Sequence, residues 1–269
     1  MKFTDGYWLV RDGARVLHPR QVHRVDATAD SLTILAPTRA IQGRGDVINN
    51  PALTIVCTSP LPDVIRVKLI HHLGERSGGP QFVLPGAEAA SAPVSITDDA
   101  SAASLTSGDL TVRFPRHGNW RVEFLAKDRP LTASETKGIG IVEMDGRRYL
   151  HEQLSLSVGE RVYGLGERFG NFVKNGQTIE IDNKDGGTGS DQAYKNIPFY
   201  LTDHGYGVFV NDPGPVSFEV ASEKVGRVQF STEGGTLEYF VIYGPTPKEI
   251  LEKYTALTGR PALPPAHPP

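Results

Sequence analysis

The sequence predicts an all-β fold, an antiparallel β-sandwich closed by one C-terminal helix. The first observation is a series of β-like runs of about four to eight residues separated by Gly, Pro, Asn and Asp, a pattern typical of sandwiches and barrels rather than of alternating β and α units. The second is the near-strict alternation of apolar and polar residues in VIRVKLIHH, residues 64–72, which indicates a strand with one wet face. The third is that one segment only, residues 246–259, carries helix signals at both ends.

Composition excludes several classes of function. The chain has 269 residues, 39% hydrophobic and 22% charged, with a formal net charge of −3. This is an ordinary globular composition, and it gives no electrostatic reason to expect nucleic acid or an anionic membrane as partner. A neutral or weakly charged small ligand fits better.

The protein is expected in the cytoplasm. The N-terminal residues 1–13 contain charge and glycine too early for a secretory signal, and no apolar run approaches the roughly 18 residues of a spanning helix. The single cysteine, Cys57, lies in the apolar run LTIVCTS. We expect a buried thiol in a strand, and no disulfide can form within the chain.

The strands are predicted in order along the chain. The first runs are YWLV, ARVLH, QVHRVDAT, SLTILAPT and ALTIVCTS, between Tyr7 and Ser59. Residues 77–103 are rich in Gly, Pro, Ser and Ala and predict a loop or a ragged edge hairpin. Strands resume in SLTSGDLTVRFP and NWRVEFLAKDR. Asp145-Gly146, between two apolar runs, predicts a tight hairpin because both residues tolerate positive φ.

A polar, glycine-rich excursion, residues 171–194, interrupts the β pattern. Long excursions inside compact domains are usually functional or disordered. This one carries carboxylates and amides and is followed by the aromatic residues Tyr194, Phe199 and Tyr200, the side-chain types that a sugar site uses. A solvated turn rich in Asp, Asn and Gly would have the same composition, so composition leaves both interpretations open.

Five more strand-like runs and the helix complete the chain. The runs are NIPFYLTD, YGVFVND, VSFEVAS, VGRVQFST and TLEYFVIYG. Thr246, Pro247 and Glu249 form a capping box with proline in the first helical turn. The apolar stripe consists of Ile250, Leu251, Tyr254 and Leu257, and Gly259 with Pro261 ends the helix. We therefore expect a β-sandwich over residues 1–245 and, over residues 246–269, a helix and a proline-rich linker leading to an absent domain.

Motifs for cofactors, metals and nucleophilic catalysis are absent from the sequence. Gly164, Gly166 and Gly170 lack the G-x-G-x-x-G spacing, and a tight turn at a strand end is the favoured interpretation. There is no G-x-S-x-G elbow and no Cys/His cluster. A calcium loop beginning at Asn183 would need a glutamate where Tyr194 stands. We expect no cofactor and no metal.

Several stretches closely resemble the N-terminal β-sandwich of family 31 glycoside hydrolases, and within that family the bacterial and fungal α-xylosidase branch. They are the opening MKFTDGYWLVRDG, then YGLGERFGNFVKNGQ, then DNKDGGTGSDQAYKNIPFYLTDHGYGVFVNDPGPVSFEV, and finally the helix with TGRPALPP. The resemblance covers essentially the whole chain. It implies a sandwich of the galactose-mutarotase-like, supersandwich type, packed on a (β/α)₈ barrel, with one sandwich loop reaching over the active site of the barrel.

The resemblance also implies roles for particular residues. Asp185 falls on the substrate-contacting aspartate of that loop. The YGLGE(R) signature, residues 163–168, is given a structural role, and we expect a salt bridge between Glu167 and Arg168 that positions the loop. Both catalytic aspartates of the retaining mechanism lie on the barrel in this family, so the resemblance implies no catalytic residue here. It implies an oligosaccharide or glycoside substrate, the barrel as partner, and a homo-oligomer.

These expectations define three hypotheses. In the first, the full-length relative hydrolyses α-xylosidic or α-glucosidic bonds with retention, and this chain alone is non-catalytic. In the second, the chain is a free-standing carbohydrate-binding module with measurable sugar affinity. In the third, the sequence is cut short from a longer reading frame. If a barrel normally docks on this domain, the chain without the barrel should expose a large apolar patch beside the helix.

Overall fold

The computed structural model describes residues 3–5, 9–72, 83–87, 91–184 and 192–263. The strands in this part of the chain are β1 Ala14–Leu17, β2 Arg24–Ala27, β3 Ser31–Pro37, β4 Ala52–Leu61, β5 Val64–Ile70, β6 Ser95–Asp98, β7 Ala102–Ser107, β8 Leu110–Pro115, β9 Val122–Ala126, β10 Arg129–Ser134, β11 Gly140–Met144, β12 Arg147–Ser155, β13 Val162–Gly164, β14 Gln177–Ile181, β15 Phe199–Thr202, β16 Tyr206–Val210, β17 Val216–Val220, β18 Arg227–Glu233 and β19 Thr236–Tyr243. The helix is α1 Pro247–Thr258.

The strands form two antiparallel sheets. The larger sheet has the order β14-β17-β18-β12-β10-β9-β8-β7-β6, with β11 paired to β12 and β1 paired to β11. The smaller sheet has the order β13-β15-β16-β19-β5-β4-β3-β2. The predicted all-β sandwich is confirmed, and no helix among the described residues has the length and apolarity needed to cross a membrane.

The core lies between the two sheets and follows from the alternation within the strands. Phe218 and Phe230 of the larger sheet face Tyr200 and Tyr239 of the smaller one, with ring centroids 6.2 Å apart for Tyr200 and Phe218 and 5.2 Å for Phe230 and Tyr239. Cys57 is fully buried in the same cluster, as predicted, and burial raises the pKa of its thiol. A neutral thiol buried in this way packs as a small apolar side chain.

The helix packs on the outer face of the smaller sheet. The predicted capping box is present, since the backbone N–H of Glu249 donates to Thr246 Oγ1 over 3.4 Å and that of Thr246 donates to Glu249 Oε2 over 3.1 Å. Tyr254 stacks on Phe199 with ring centroids 4.0 Å apart. One member of the predicted apolar stripe, Leu251, is 43% exposed, because it lies on the side of α1 that turns away from the sheet.

Two local predictions meet different outcomes. Asp145 and Gly146 have φ of 52° and 74°, which confirms the tight hairpin between β11 and β12. The polar excursion is interrupted by a strand that was not predicted, because residues 177–181 within it form β14 and pair with β17. Ile179 and Ile181 face the core, so an alternation of only two apolar residues is enough to extend the larger sheet. Tyr7 and Trp8 of the run YWLV lie outside the described residues, and Val10 forms an isolated bridge with Thr4.

One carboxyl group lies in the core. Glu152 is on the core-facing side of β12, where its side chain accepts hydrogen bonds from the Tyr239 hydroxyl over 3.1 Å and from the Gln153 backbone N–H over 2.9 Å. Burial raises the pKa of Glu152 from its ordinary value of 4.5 to about 7. The folded state therefore binds this proton more tightly than the unfolded state does.

Replacing Glu152 should change how stability depends on pH. Because the pKa is higher in the folded state, the free energy of unfolding should fall as pH rises from about 4.5 to about 7, by up to roughly 3 kcal/mol, and stay level above that. Glu152→Gln removes this titration. Between pH 5 and pH 8 the free energy of unfolding, measured with urea, should therefore fall less in the variant than in the wild type. Glu252→Gln, on the exposed side of α1, is the matched control. Parallel pH profiles for wild type and Glu152→Gln would contradict the assignment.

Candidate functional site

In the structure the excursion begins before residue 171 and ends after residue 194, because the chain leaves the smaller sheet after β13 and returns to it only at β15. These two strands pair directly, with Tyr163 opposite Leu201 and Gly164 opposite Tyr200. Between them the chain crosses to the edge of the larger sheet, where β14 pairs with β17. The excursion therefore joins both sheets at one end of the sandwich.

A turn with three successive positive φ values starts the excursion. Gly164, Leu165 and Gly166 have φ of 108°, 64° and 88°, and Leu165 is fully buried although a branched side chain rarely adopts this region. A Cβ at Gly166 would lie 2.1 Å from the Lys195 carbonyl oxygen, and a Cβ at Gly164 would lie 2.7 Å from the Phe199 carbonyl oxygen. The predicted tight turn is confirmed, and both glycines are needed for this close backbone approach.

Asp185, the predicted substrate-contacting residue, lies outside the described residues, as do all of residues 185–191. The flanks of this segment are described. Asn183 and Ala193 form a parallel bridge, and the Lys184 backbone N–H donates to the Ala193 carbonyl over 3.1 Å. We call residues 182–184 and 192–196 the loop stem. The two sides of the loop stem are hydrogen-bonded to each other, so the residues on either side of the segment that carries Asp185 lie next to each other.

Arg168 connects the loop stem to the rest of the excursion. Its guanidinium donates to the Leu165 carbonyl over 3.1 Å, to the Glu180 carbonyl over 2.9 Å, and to Asn196 Oδ1. Asn196 Nδ2 donates in turn to Asn183 Oδ1 over 2.9 Å and to the Ala193 carbonyl over 2.7 Å. A planar guanidinium with five donors can hold several acceptors in fixed directions, so this pair of side chains ties the strained turn, β14 and both sides of the stem together.

The expected salt bridge between Glu167 and Arg168 does not form among the described residues. The Glu167 carboxylate pairs instead with Lys195 Nζ at 3.0 Å, and its side chain is 73% exposed. Arg168 turns inward to the carbonyl groups, since the sharp turn before it sends the two neighbouring side chains in different directions. An exposed ion pair of the Glu167 kind contributes about 0–1 kcal/mol, so the Arg168 network is the larger contribution to the local structure.

The aromatic residues singled out near the loop divide into two groups. Tyr200 is fully buried in the core and Phe199 is buried beneath α1, so neither offers a face to a ligand. Tyr194 is 66% exposed. Phe169 and Phe172 on the excursion are also mostly exposed. Leu251 of α1 is exposed too, and the continuous apolar patch expected beside the helix stays a prediction.

The loop stem carries three charged groups, and each of them is paired. Asp182 and Lys184 form an exposed ion pair at 3.0 Å, and Lys195 pairs with Glu167. Among the described residues, no three His, Cys, Asp or Glu side chains are grouped so that they could hold a metal ion. Sequence reasoning missed Asn196, because an amide in a polar run gives no signal until its tertiary partners are known.

The comparisons with known proteins agree on one family. The family described as the glycosyl hydrolase 31 N-terminal galactose mutarotase-like domain matches residues 54–219. An alpha-xylosidase of Lactiplantibacillus pentosus is 48% identical over 99% of the chain, and an alpha-xylosidase of Emericella nidulans is 42% identical over 99%. The chain spans only 35% and 36% of the lengths of these relatives.

Solved structures share the fold at lower identity. A cycloalternan-forming enzyme from Listeria monocytogenes, in complex with a pentasaccharide substrate, has a TM-score of 0.74 and 21% identity, over 94% of this chain and 23% of its own. A family 31 alpha-xylosidase from a soil metagenome, complexed with xylose, has a TM-score of 0.66 and 18% identity, over 88% of this chain and 34% of its own.

Weakening the Arg168 network should loosen the loop stem without unfolding the sandwich. In Arg168→Lys the single ammonium cannot serve all the acceptors, and losing a charged hydrogen bond costs about 1.5–3 kcal/mol. Amide hydrogen exchange of residues 193–198 should accelerate by about tenfold or more, since each 1.4 kcal/mol is a factor of ten. The matched control is Glu167→Gln, which alters only an exposed ion pair. Equal exchange in both variants would show that Arg168 does not hold the stem.

Proposed function

The chain belongs to the family of N-terminal, galactose mutarotase-like domains of glycosyl hydrolase 31, and on this premise we propose that it serves an α-xylosidase- or α-glucosidase-like enzyme as a non-catalytic domain that contributes one loop to the substrate site. The observation that carries the proposal is the loop stem. A segment pinned at both ends by Arg168 and Asn196 suits a loop that must be presented in one position to a neighbouring domain.

Asp185 is the proposed substrate contact. An ionised carboxylate accepts hydrogen bonds from two hydroxyl groups at once, as sugars present on adjacent carbons. Glu167 and Arg168 are proposed as supports of the loop, Arg168 through its contacts with backbone and Asn196, and Glu167 through Lys195. None of these residues is assigned a catalytic role.

We assign the hydrolytic reaction to the part of the proposed enzyme that lies outside this chain. About two thirds of the length of the alpha-xylosidase relatives lies outside the match. Retaining hydrolysis needs a nucleophilic carboxylate and an acid/base carboxyl about 5–5.5 Å apart, and we place both on a (β/α)₈ barrel that packs on this domain. The exposed Phe169 and Phe172 of the excursion are proposed to lie against that barrel.

We propose that the chain divides into two parts. Residues 1–245 form the sandwich, and residues 246–269 form the connection with the barrel. The packing of α1 on the smaller sheet, through Ile250 and Leu257, supports this because it gives the connection a fixed starting direction. A homo-oligomer of the whole enzyme stays a prediction.

A chimera tests the contribution of Asp185. The chain would replace the matching third of the L. pentosus alpha-xylosidase, and hydrolysis of an aryl α-xyloside would be followed. Asp185→Ala should lower kcat/KM by about 10- to 100-fold, because a charged hydrogen bond contributes about 1.5–3 kcal/mol. Asp182→Asn, at the exposed ion pair of the stem, is the matched control and should change the rate little.

The 269-residue chain alone should show no turnover of the same substrate. Turnover that persists after rigorous removal of contaminating enzyme would contradict the non-catalytic role. An active chimera whose kcat/KM does not respond to Asp185→Ala would contradict the proposed contact. Saturable binding of xylose to the isolated chain that Asp185→Ala abolishes would favour the carbohydrate-binding module instead.

A further inference from the structure

A cavity of about 410 Å³ lies on the outer face of the larger sheet, the face opposite the core. Its floor is formed by β12, β17 and β18. In their register His151 stands opposite Ser231, and Gln229 stands opposite both Gln153 and Glu219. Phe3 and Thr4 of the N-terminal segment, together with the turn after β10, form the walls.

The floor of this cavity is polar and yet buried. The outer face of an antiparallel sheet is normally solvated, but here His151 is 4% exposed and Gln229 and Glu219 are equally well covered. Burying polar groups costs free energy unless they are hydrogen-bonded. A domain that needed only a cover for this face would be more stable with apolar side chains there.

Hydrogen bonds hold the polar floor in a fixed arrangement. Gln153 Nε2 donates to Gln229 Oε1 over 2.7 Å. Gln229 Nε2 donates to Glu219 Oε2 over 2.9 Å and to Glu223 Oε2 over 3.1 Å. Thr4 Oγ1 donates to Glu223 Oε1 over 2.6 Å, which ties the wall to the floor. Donors and acceptors positioned in this way characterise ligand sites that are formed in advance.

His151 is the polar group that this network leaves unsatisfied. It lines the cavity, and neither ring nitrogen has a partner with hydrogen-bond geometry in the described part of the chain, although the Gln229 amide lies near the ring. Burial, and then the neighbouring His18, lower the pKa of His151 to about 3. Burial also lowers the pKa of His18. Both imidazoles are therefore neutral at pH 7, and a neutral imidazole offers one donor and one acceptor, the combination that a hydroxyl group matches.

The charged side chains of the lining are mixed in sign, so they do not favour a ligand of one charge. The charged lining residues among those described are Glu135, Glu219, Glu223, Lys137, Lys224 and Arg227, three of each sign. Phe3, Val10 and Val16 add an apolar wall, which suits the apolar face of a sugar ring. The volume falls within the range of about 300–1,000 Å³ of small-molecule sites.

From the buried amide network, the unsatisfied His151 and the balanced charge, we propose that this cavity is a binding site for a neutral polyhydroxylated small molecule of monosaccharide size. The site uses no residue of the segment 185–191. It is therefore independent of the role proposed for Asp185, and either proposal can fail without the other.

The test is a titration of the 269-residue chain at pH 7 with D-xylose, D-glucose and D-glucose 6-phosphate, followed by NMR of the histidine ring signals. At least one neutral sugar should shift the His151 and His18 signals saturably. Gln153→Met, which removes the amide, and Val16→Phe, which fills the cavity, should each weaken binding at least tenfold while thermal unfolding confirms the fold. Glu252→Gln, on the exposed side of α1, is the matched control and should bind as the wild type does, while Asp185→Asn reports separately on the loop.

Three results would overturn the inference. Absence of saturable shifts with both neutral sugars in the wild-type chain would remove the site, whatever the variants do. Tighter binding of the sugar phosphate than of either neutral sugar would overturn the ligand class. Binding that Asp185→Asn abolishes and the cavity variants leave intact would place it at the loop instead, and would leave the proposed function standing.

Discussion

The close approach of the turn 164–166 to residues 195–199 is the constraint on which the loop stem depends. With carbonyl oxygens 2.1 and 2.7 Å from the Cβ positions that Gly166 and Gly164 lack, no other residue fits without moving the backbone. The turn then brings Arg168 next to Asn196. The position of the loop stem, residues 182–184 and 192–196, therefore depends on this backbone contact.

The sandwich suits a supporting role because the loop is held by both sheets. β13 and β15 fix the two ends of the excursion in the smaller sheet, while β14 fixes its middle on the larger one. Loops that carry binding residues work best when a rigid scaffold positions them. Here the scaffold also bears α1 on the smaller sheet, so the loop and the helix that we propose leads to the barrel are held by the same sheet.

Sequence periodicity predicted most strands and the helix, because their apolar residues repeat over enough positions to be recognised. It failed for β14, where only Ile179 and Ile181 face the core. It also gave no signal for Asn196, whose partners are fixed by tertiary contacts, nor for Glu152, a carboxyl group at a position where alternation predicts an apolar side chain. The aromatic residues Phe199 and Tyr200 were ambiguous for a related reason, since a ligand platform and a core residue look alike in sequence. The role of Asp185 was predicted from the family resemblance alone and stays a prediction.

The outer face of the larger sheet is a second place where the sequence pattern has two interpretations, a solvated face or a buried polar one. Ser217, Glu219, Gln229 and His151 alternate with core residues along their strands, so from sequence they form an ordinary solvated face. Their burial arises from tertiary neighbours, since the rings of Phe3 and His18 lie 6.1 and 5.9 Å from the ring of His151. Because these polar side chains are buried, they carry a desolvation cost that they would not have on a solvated face. Since apolar residues would give a more stable cover, a buried amide network beside an unsatisfied imidazole is better explained by a ligand than by stability.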